Sequence, residues 1–372
     1  MYKSSILKSK IFTLLSICAV FLMLTAFSQT ALAQEEHTEH AEKAAEATEE
    51  KFDVSETILE HIGDSHSLHV FGHTHIALPV IVYTDKGVEA FSAAHLEGHG
   101  EGHQPAIYKG TNYNYALAKN KIVVVNEAGA IDEAATKTLY DFSITKNVVS
   151  MWMSIIILAI IFISVSSAYK KNAGKAPKGL QSFIEPIILF VRDDIARPNI
   201  GYKYARYMPL LLTIFFFIWI NNLIGLVPFF PGGANLTGNI AVTLVLSVIT
   251  LIVVNLGANK HYWAHIFVPH SVPKVLWPLW WVIELVGIFS RPFALMIRLF
   301  ANITAGHIIV LSLISLIFVF KSLAIAPVSV AFVVFMDVLE LLVAALQAFI
   351  FTLLTALFIG SAIEEPHHDA HH

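Results

Sequence analysis

Residues 148–168, 208–229 and 239–257 are apolar runs of about twenty residues, the length that carries an α-helix across a bilayer core. Residues 279–320 and 328–362 are apolar over still longer stretches. This pattern constrains the fold more than any other feature: it predicts an all-α integral membrane protein with five transmembrane helices. Composition agrees, with 56% hydrophobic and 14% charged residues, far from the balance of a water-soluble domain. At 1.5 Å per residue, residues 293–320 would extend about 42 Å and residues 328–362 about 52 Å, against a core near 30 Å. The two long C-terminal helices are therefore expected to tilt or bend, with Pro292 interrupting the first of them.

The chain ahead of the membrane region reads differently. Lys3, Lys8 and Lys10 precede an apolar run over residues 11–27, followed by Ala31-Leu32-Ala33, the form of a cleaved signal peptide over residues 1–33. The single cysteine, Cys18, lies inside it, so the mature chain is expected to lack disulfide, thiol and cysteine-zinc chemistry. Residues 34–147 form an exported His- and Glu-rich extension. Residues 34–51 have almost no large apolar side chains and are expected to be disordered. Beyond them, residues 76–83 and 88–91 flank an Asp85-Lys86-Gly87 turn in the manner of a β-hairpin, and residues 121–125 read as a further strand. The fold class is thus five membrane helices plus a small exported region that is poorly ordered or β-containing. Many of the 18 histidines lie in this region. His66, His69, His73 and His75 are candidate metal ligands on chemistry alone. No fixed ligand motif accompanies them, and Gly-rich flanks such as EGHGEGHQ favour a solvated polar extension. The His-rich tail at residues 366–372 reads the same way.

Lys170, Lys171, Lys175 and Lys178, followed by Arg192, Arg197, Lys203 and Arg206, place the connection after the first span in the cytoplasm by the positive-inside rule. The N-terminus is then outside and the C-terminus inside. Residues 180–196 have an apolar face and a charged end, as expected of a helix lying at the interface. Asn221 and Asn222 fall in the outer half of the second span, where a buried amide either ties helices together or lines a wet cavity.

Within the last two helices a few polar side chains stand in apolar surroundings. Arg298 sits mid-run in SRPFALMIRLFANITAGHII, residues 290–309, where a charge costs at least about 2.5 to 3.5 kcal/mol on insertion scales. Helical geometry puts Asn302 on the same face one turn outward, and His307 nearly opposite. On the final helix Glu340 and Gln347 fall within about 20° of one another. If the two helices run antiparallel, Gln347 comes level with Arg298 and Glu340 with His307. A buried imidazole and carboxylate can hold or pass one proton near neutral pH; a static ion pair locking two helices is the alternative. Glu284, near the cytoplasmic end of its helix, could serve an inner path or be an interfacial carboxylate satisfied by lysine. Arg298 keeps its charge at any relevant pH and cannot shuttle protons; it can attract a carboxylate from a partner, and Ala294, Ala301, Ala305 and Gly306 would let another helix come close.

Three separated strings, FIEPIILFVRDDIARPNIG, RPFALMIRLFANITAGHII and LQAFIFTLLTALFIGSAIEE, give residues 148–365 a specific resemblance to subunit a of the F-type ATP synthase. The resemblance implies a non-catalytic stator subunit that forms two half-channels against a rotating ring of c subunits. It also implies partnership with subunit b of the peripheral stalk and the remaining synthase subunits, and a location in the cell inner membrane. It assigns the family's essential arginine to Arg298, neighbouring polar positions to Asn302 and Gln347, and the outer half-channel pair to His307 and Glu340. Many bacterial members carry the acid on the first helix and the histidine on the second; here they are exchanged, as in mitochondrial members. An acid often found three residues past the asparagine matching Asn222 is replaced by Gly225.

The expected function is proton conduction past Asn222, His307 and Glu340 to a rotor carboxylate, with release near Glu284 and Arg298 separating the two paths. No phosphate-binding glycine loop occurs, so nucleotide chemistry belongs elsewhere in the complex; no cofactor and no nucleic-acid partner are expected. The main rival is a divalent-metal secondary transporter with the exported histidines as a collecting domain. A purely structural anchor for the c ring is the third reading.

Overall fold

A computed structural model describes residue 58 and residues 62–71, 74–96, 106–118, 120–126, 129–172, 174–227, 232–268, 273–322 and 324–364. The expected signal peptide, residues 34–51, His73 and the His-rich tail lie outside these. Among the described residues, five helices are long and apolar enough to cross a membrane. The chain is thus an all-α multi-pass membrane protein preceded by a β-containing region. It divides into two compact units: one holds the residues up to Met151 with Ile224–Asn235 and Ala305–Leu341, the other Trp152–Leu223, Leu236–Thr304 and the residues from Leu342 on.

The first unit begins with short strands. The β1 (Ser67–Phe71) and β2 (Thr74–Ala77) pair is followed by β3 (Pro79–Thr84) and β4 (Gly87–Ser92), then β5 (Tyr108–Lys109), β6 (Asn114–Ala118), β7 (Lys121–Val125) and β8 (Tyr140–Asp141). The expected hairpin is present, with Val88 opposite Tyr83 and Gly87 at φ 127° closing the turn, a conformation that needs glycine. It starts at Pro79 rather than Ile76: the earlier residues pair with β1, because Pro79 allows a new strand to begin but cannot donate within a ladder. The strands form one sheet ordered β4-β3-β8 and another ordered β5-β6-β7. The alternation of β3 turns Val80 and Val82 inward, where they meet Tyr115, Ile122 and Val124 of the other sheet with Ala93 and Leu96. Between β7 and β8, α1 (Glu133–Lys137) is capped by Asp132, whose carboxylate accepts from the amides of Ala134 and Ala135.

This strand region grips the start of the first span, α2 (Lys146–Lys171). The Lys146 amide donates to the Ser65 carbonyl at 2.9 Å and the Asn147 amide to Asp64 Oδ1 at 3.2 Å. A carboxylate at a helix N-terminus satisfies orphan amides and complements the helix dipole. The same unit contains the turn joining α7 (Trp277–Phe320) and α8 (Ala326–Ile363). Pro327 in the first turn of α8 has no amide to leave unsatisfied, and the Ser329 hydroxyl donates to the Leu313 carbonyl across the turn.

In the second unit, α3 (Leu180–Phe190) passes through a wider helical turn, Val191–Ala196, and a short helical turn, Arg197–Ile200, before α4 (Tyr204–Gly225). Arg192 and Arg197 both pair with Asp193 at 2.8 Å. Asn239 caps α5 (Ile240–Gly257), its side chain accepting from the Ala241 amide. Helix α5 is inside out by the standard of soluble proteins: Thr243, Ser247, Thr250 and Val254 are buried along one stripe, while Leu244, Val245, Val248, Ile252 and Leu256 face outward. That distribution suits a lipid solvent, where small and hydroxyl residues make helix contacts. After α6 (Lys260–Phe267) the chain enters α7. The end of α8 is tied down where the Asn259 amide donates to the Ala362 carbonyl and its side chain to that of Ile363, which occupies carbonyls the helix end leaves open. At Gly360 a Cβ would run into the Asn199 carbonyl oxygen, so only glycine fits that crossing.

Pro292 does not interrupt α7, contrary to the sequence expectation: the helix is continuous over 44 residues. Proline removes one backbone bond, here the one to the Ile288 carbonyl, a loss that membrane helices tolerate.

Candidate functional site

Three polar groupings stand out among the described residues of the helical region. The first, in the unit containing Ala305–Leu341, joins α7 and α8. His307 Nδ1 stands 2.8 Å from Glu340 Oε1, with Glu340 only 5% exposed. The antiparallel register expected from the residue spacing is therefore present at this level. The contact is a close approach and not an aligned hydrogen bond, since Glu340 Oε1 is buried without a hydrogen-bond donor. Two glycines border the pair, and at Gly306 a side chain would be too tight. A Cβ on Gly306 would lie 3.0 Å from the Glu340 carboxylate, and one on Gly225 would lie 3.8 Å from His307 Nε2. Glycine at position 225 thus leaves open the side of the imidazole that an acid there would face. Asp337, one turn before Glu340, is half-buried with Oδ2 unsatisfied and lies within electrostatic reach of both Glu340 and His307.

The second grouping is a face of α7. Ala294, Ile297, Arg298, Ala301 and Asn302 are all exposed, at the i, i+3, i+4, i+7, i+8 spacing of one helical stripe, whereas Leu295, Leu299 and Ile303 on the other side are buried. No hydrogen bond or ion pair to Arg298 occurs among the described residues. Gln347 is not part of the exposed stripe: this amide is 3% exposed, and no hydrogen bond joins it to Arg298 among the described residues. Asn222 is also interior. Its side chain donates to the Ala344 carbonyl at 3.2 Å and accepts from the Thr237 hydroxyl at 2.6 Å, so both ends of the amide tie the packing together.

The third grouping surrounds Arg291, one helical turn before Leu295 on α7, with Thr250, Asn255, Tyr262 and Phe358 around a cavity of about 20 Å³. The Arg291 guanidinium sits 5.8 Å from the Phe358 ring, and Asn255 Oδ1 is buried without a donor. Burial pushes the Tyr262 phenol above its ordinary pKa; Arg291 draws it back and Glu284 adds to the rise, which puts Glu284 within reach of this grouping. Glu284 itself is half-buried, and no ion pair to it occurs among the described residues.

Described histidines of the strand region have defined partners. His66 is buried with Nε2 3.4 Å from Asp141. Burial alone would raise the Asp141 carboxyl, but interactions with His66 and Ser143 outweigh it and hold the pKa below the usual range. His69 and His75 are paired residues across the β1–β2 hairpin. Among the described residues no group of three or more potential ligands could hold a metal ion.

Sequence reasoning noted Gly306 as a point of close helix approach and Gly225 as standing where an acid is often found, and missed the parts played by Arg291, Tyr262 and Asn255. A signal existed for Gly306, which adjoins His307, but the clearance it provides depends on how the two helices meet.

The sequence matches the family described as ATP synthase A chain over residues 148–360, and a domain of unknown function (DUF8433) over residues 57–142. It is 50% identical over 239 residues to "ATP synthase subunit a" of Chloroherpeton thalassium, covering 63% of this chain and 71% of that protein. It is 41% identical over 290 residues to "ATP synthase subunit a 2" of Prosthecochloris aestuarii, covering 76% and 87%. With "ATP synthase subunit a" of Chlorobium phaeobacteroides it shares 39% identity over 308 residues, covering 81% and 87%. All three alignments are longer than the chain from residue 148 to its end, so each reaches into the strand-containing region.

Proposed function

The chain belongs to the ATP synthase A chain family, and on that premise we propose that it is the proton-conducting stator subunit of an F-type ATP synthase, working against a ring of c subunits. The observation that carries this reading is the exposed stripe of α7 on which Arg298 has no partner among the described residues. A guanidinium left in lipid costs at least about 2.5 to 3.5 kcal/mol, and a carboxylate on an adjoining rotor helix would remove most of that cost. The flanking Ala294 and Ala301 leave room for such a helix to approach.

Protons enter from the outer side and are held at His307 and Glu340, one proton shared between a base and an acid. From there a proton neutralises a rotor carboxylate, which lets that carboxylate leave Arg298 and turn into lipid. A carboxylate returning from the other side gives up its proton as it meets the guanidinium, because the positive charge favours the ionised form. That proton leaves inward by way of Glu284. Asn222 and Thr237 hold the helix walls in place, and Gln347 supports the packing behind them. Arg298 keeps the two paths apart: a potential of 100 mV supplies about 2.3 kcal/mol per proton, and a direct leak would dissipate it. The outer side carries the N-terminal region and the cytoplasm the C-terminus, in the inner membrane with subunit b and the rest of the synthase.

Purification by a tag on this chain tests the reading. A ring of c subunits is expected to co-purify in mild detergent, together with proton-driven ATP synthesis after reconstitution into vesicles. A chain that purifies without a ring and carries divalent metal ions across vesicles by itself would overturn it.

A further inference from the structure

We propose that Asp337 is the outermost proton-relay residue of the His307–Glu340 site, handing protons from the outer aqueous side to Glu340. The inference rests on the function proposed above. Asp337 and Glu340 are three residues apart on α8, so they occupy one face about 4.5 Å apart along the axis. In the orientation proposed above, α8 runs inward from its turn with α7, and Asp337 is the acid nearer the outer side. Each acid has an oxygen buried with no hydrogen-bond donor, Asp337 Oδ2 and Glu340 Oε1. A buried carboxylate oxygen without a donor is costly as an anion; a proton on either acid converts one of these oxygens into a donor for its neighbour. Two such acids beside one imidazole form a set among which a proton can be exchanged with no net change in charge.

Exposure gives the pair of acids a direction. Glu340 is 5% exposed, whereas Asp337 is half-buried with only its Oδ2 enclosed. The titratable groups facing Asp337 are Glu340 on its own helix and His307 on α7. Gly225, Ala234 and Asn235, the segment beside His307, add none. With glycine at position 225, Asp337 supplies a second carboxylate from α8 instead. The step is a proton transfer only: the Asp337 O–H bond breaks as a bond to a Glu340 oxygen forms, and Asp337 is reloaded from outer water.

The test uses the whole complex in vesicles, with Asp337→Asn, Asp337→Glu and Arg298→Ala, rates being counted per assembled complex. Asp337→Asn is expected to slow proton-driven synthesis about tenfold, less than the loss of a directly acting proton-transfer group because Glu340 and His307 remain. It should also move the dependence on outer pH; Asp337→Glu should restore both. An unchanged rate and pH profile in Asp337→Asn would overturn the inference, as would a slow Asp337→Asn complex whose pH profile is unmoved and which the glutamate variant fails to rescue. The Arg298→Ala complex separates the two claims: if it still synthesises ATP, the proposed function fails; if it does not while Asp337→Asn is normal, only the relay fails.

Discussion

Arg298→Ala is expected to abolish proton-driven ATP synthesis, by at least about a hundredfold, while the complex still assembles. A hundredfold loss is about 2.7 kcal/mol of transition-state stabilisation, within what a desolvated guanidinium and carboxylate can contribute. Assembly should survive because Arg298 makes no bond among the described residues that folding would lose. Arg291 cannot stand in for it: it is seven residues away and sits over the Phe358 ring. Arg298→Lys keeps the charge but loses the planar fork that meets a carboxylate at two points, so a residual rate below the parent's is expected. Synthesis rates in reconstituted vesicles, with subunit content measured on the same preparations, check both.

Glu340→Gln should reduce synthesis by about a hundredfold, the low end of what one well-placed proton-transfer group contributes. The amide keeps the shape of the side chain within the space that Gly306 leaves, so the loss reports the missing ionisation and not a cavity. His307→Ala should act on the same step. The double variant is then expected to be little worse than either single one, because groups acting as a unit are not additive. Strict additivity in the vesicle assay would argue for separate roles.

The five spans, the hairpin closed by Gly87 and the His307–Glu340 contact were all legible in the sequence, because each follows from a periodicity. Run length sets the spans, strand alternation sets β3, and helical spacing along two antiparallel runs brings positions 307 and 340 level. What stayed hidden depended on how faces meet. Gln347 has the spacing to come level with Arg298, but spacing does not tell that the amide is buried while Arg298 is exposed. Pro292 reads as a break, yet the helix continues through it, since a membrane helix tolerates the loss of one backbone bond. Asn222 allowed both a packing and a cavity-lining reading, and its two bonds to Ala344 and Thr237 favour packing. The Arg291, Tyr262 and Asn255 grouping draws on three helices and has no local signature.

The central claim is that the Arg298 stripe of α7 is covered by a rotor helix, and cysteine cross-linking tests it most directly. The chain has a single native cysteine, Cys18; with it replaced by serine, single cysteines at Ala294, Ala301 or, as a buried control, Leu299 can be read without ambiguity. With partner cysteines placed along the c-subunit helix that carries the rotor carboxylate, positions 294 and 301 are predicted to cross-link to the ring and position 299 is not. Cross-links at 299, or none at 294 and 301 in a complex that still makes ATP, would contradict the account.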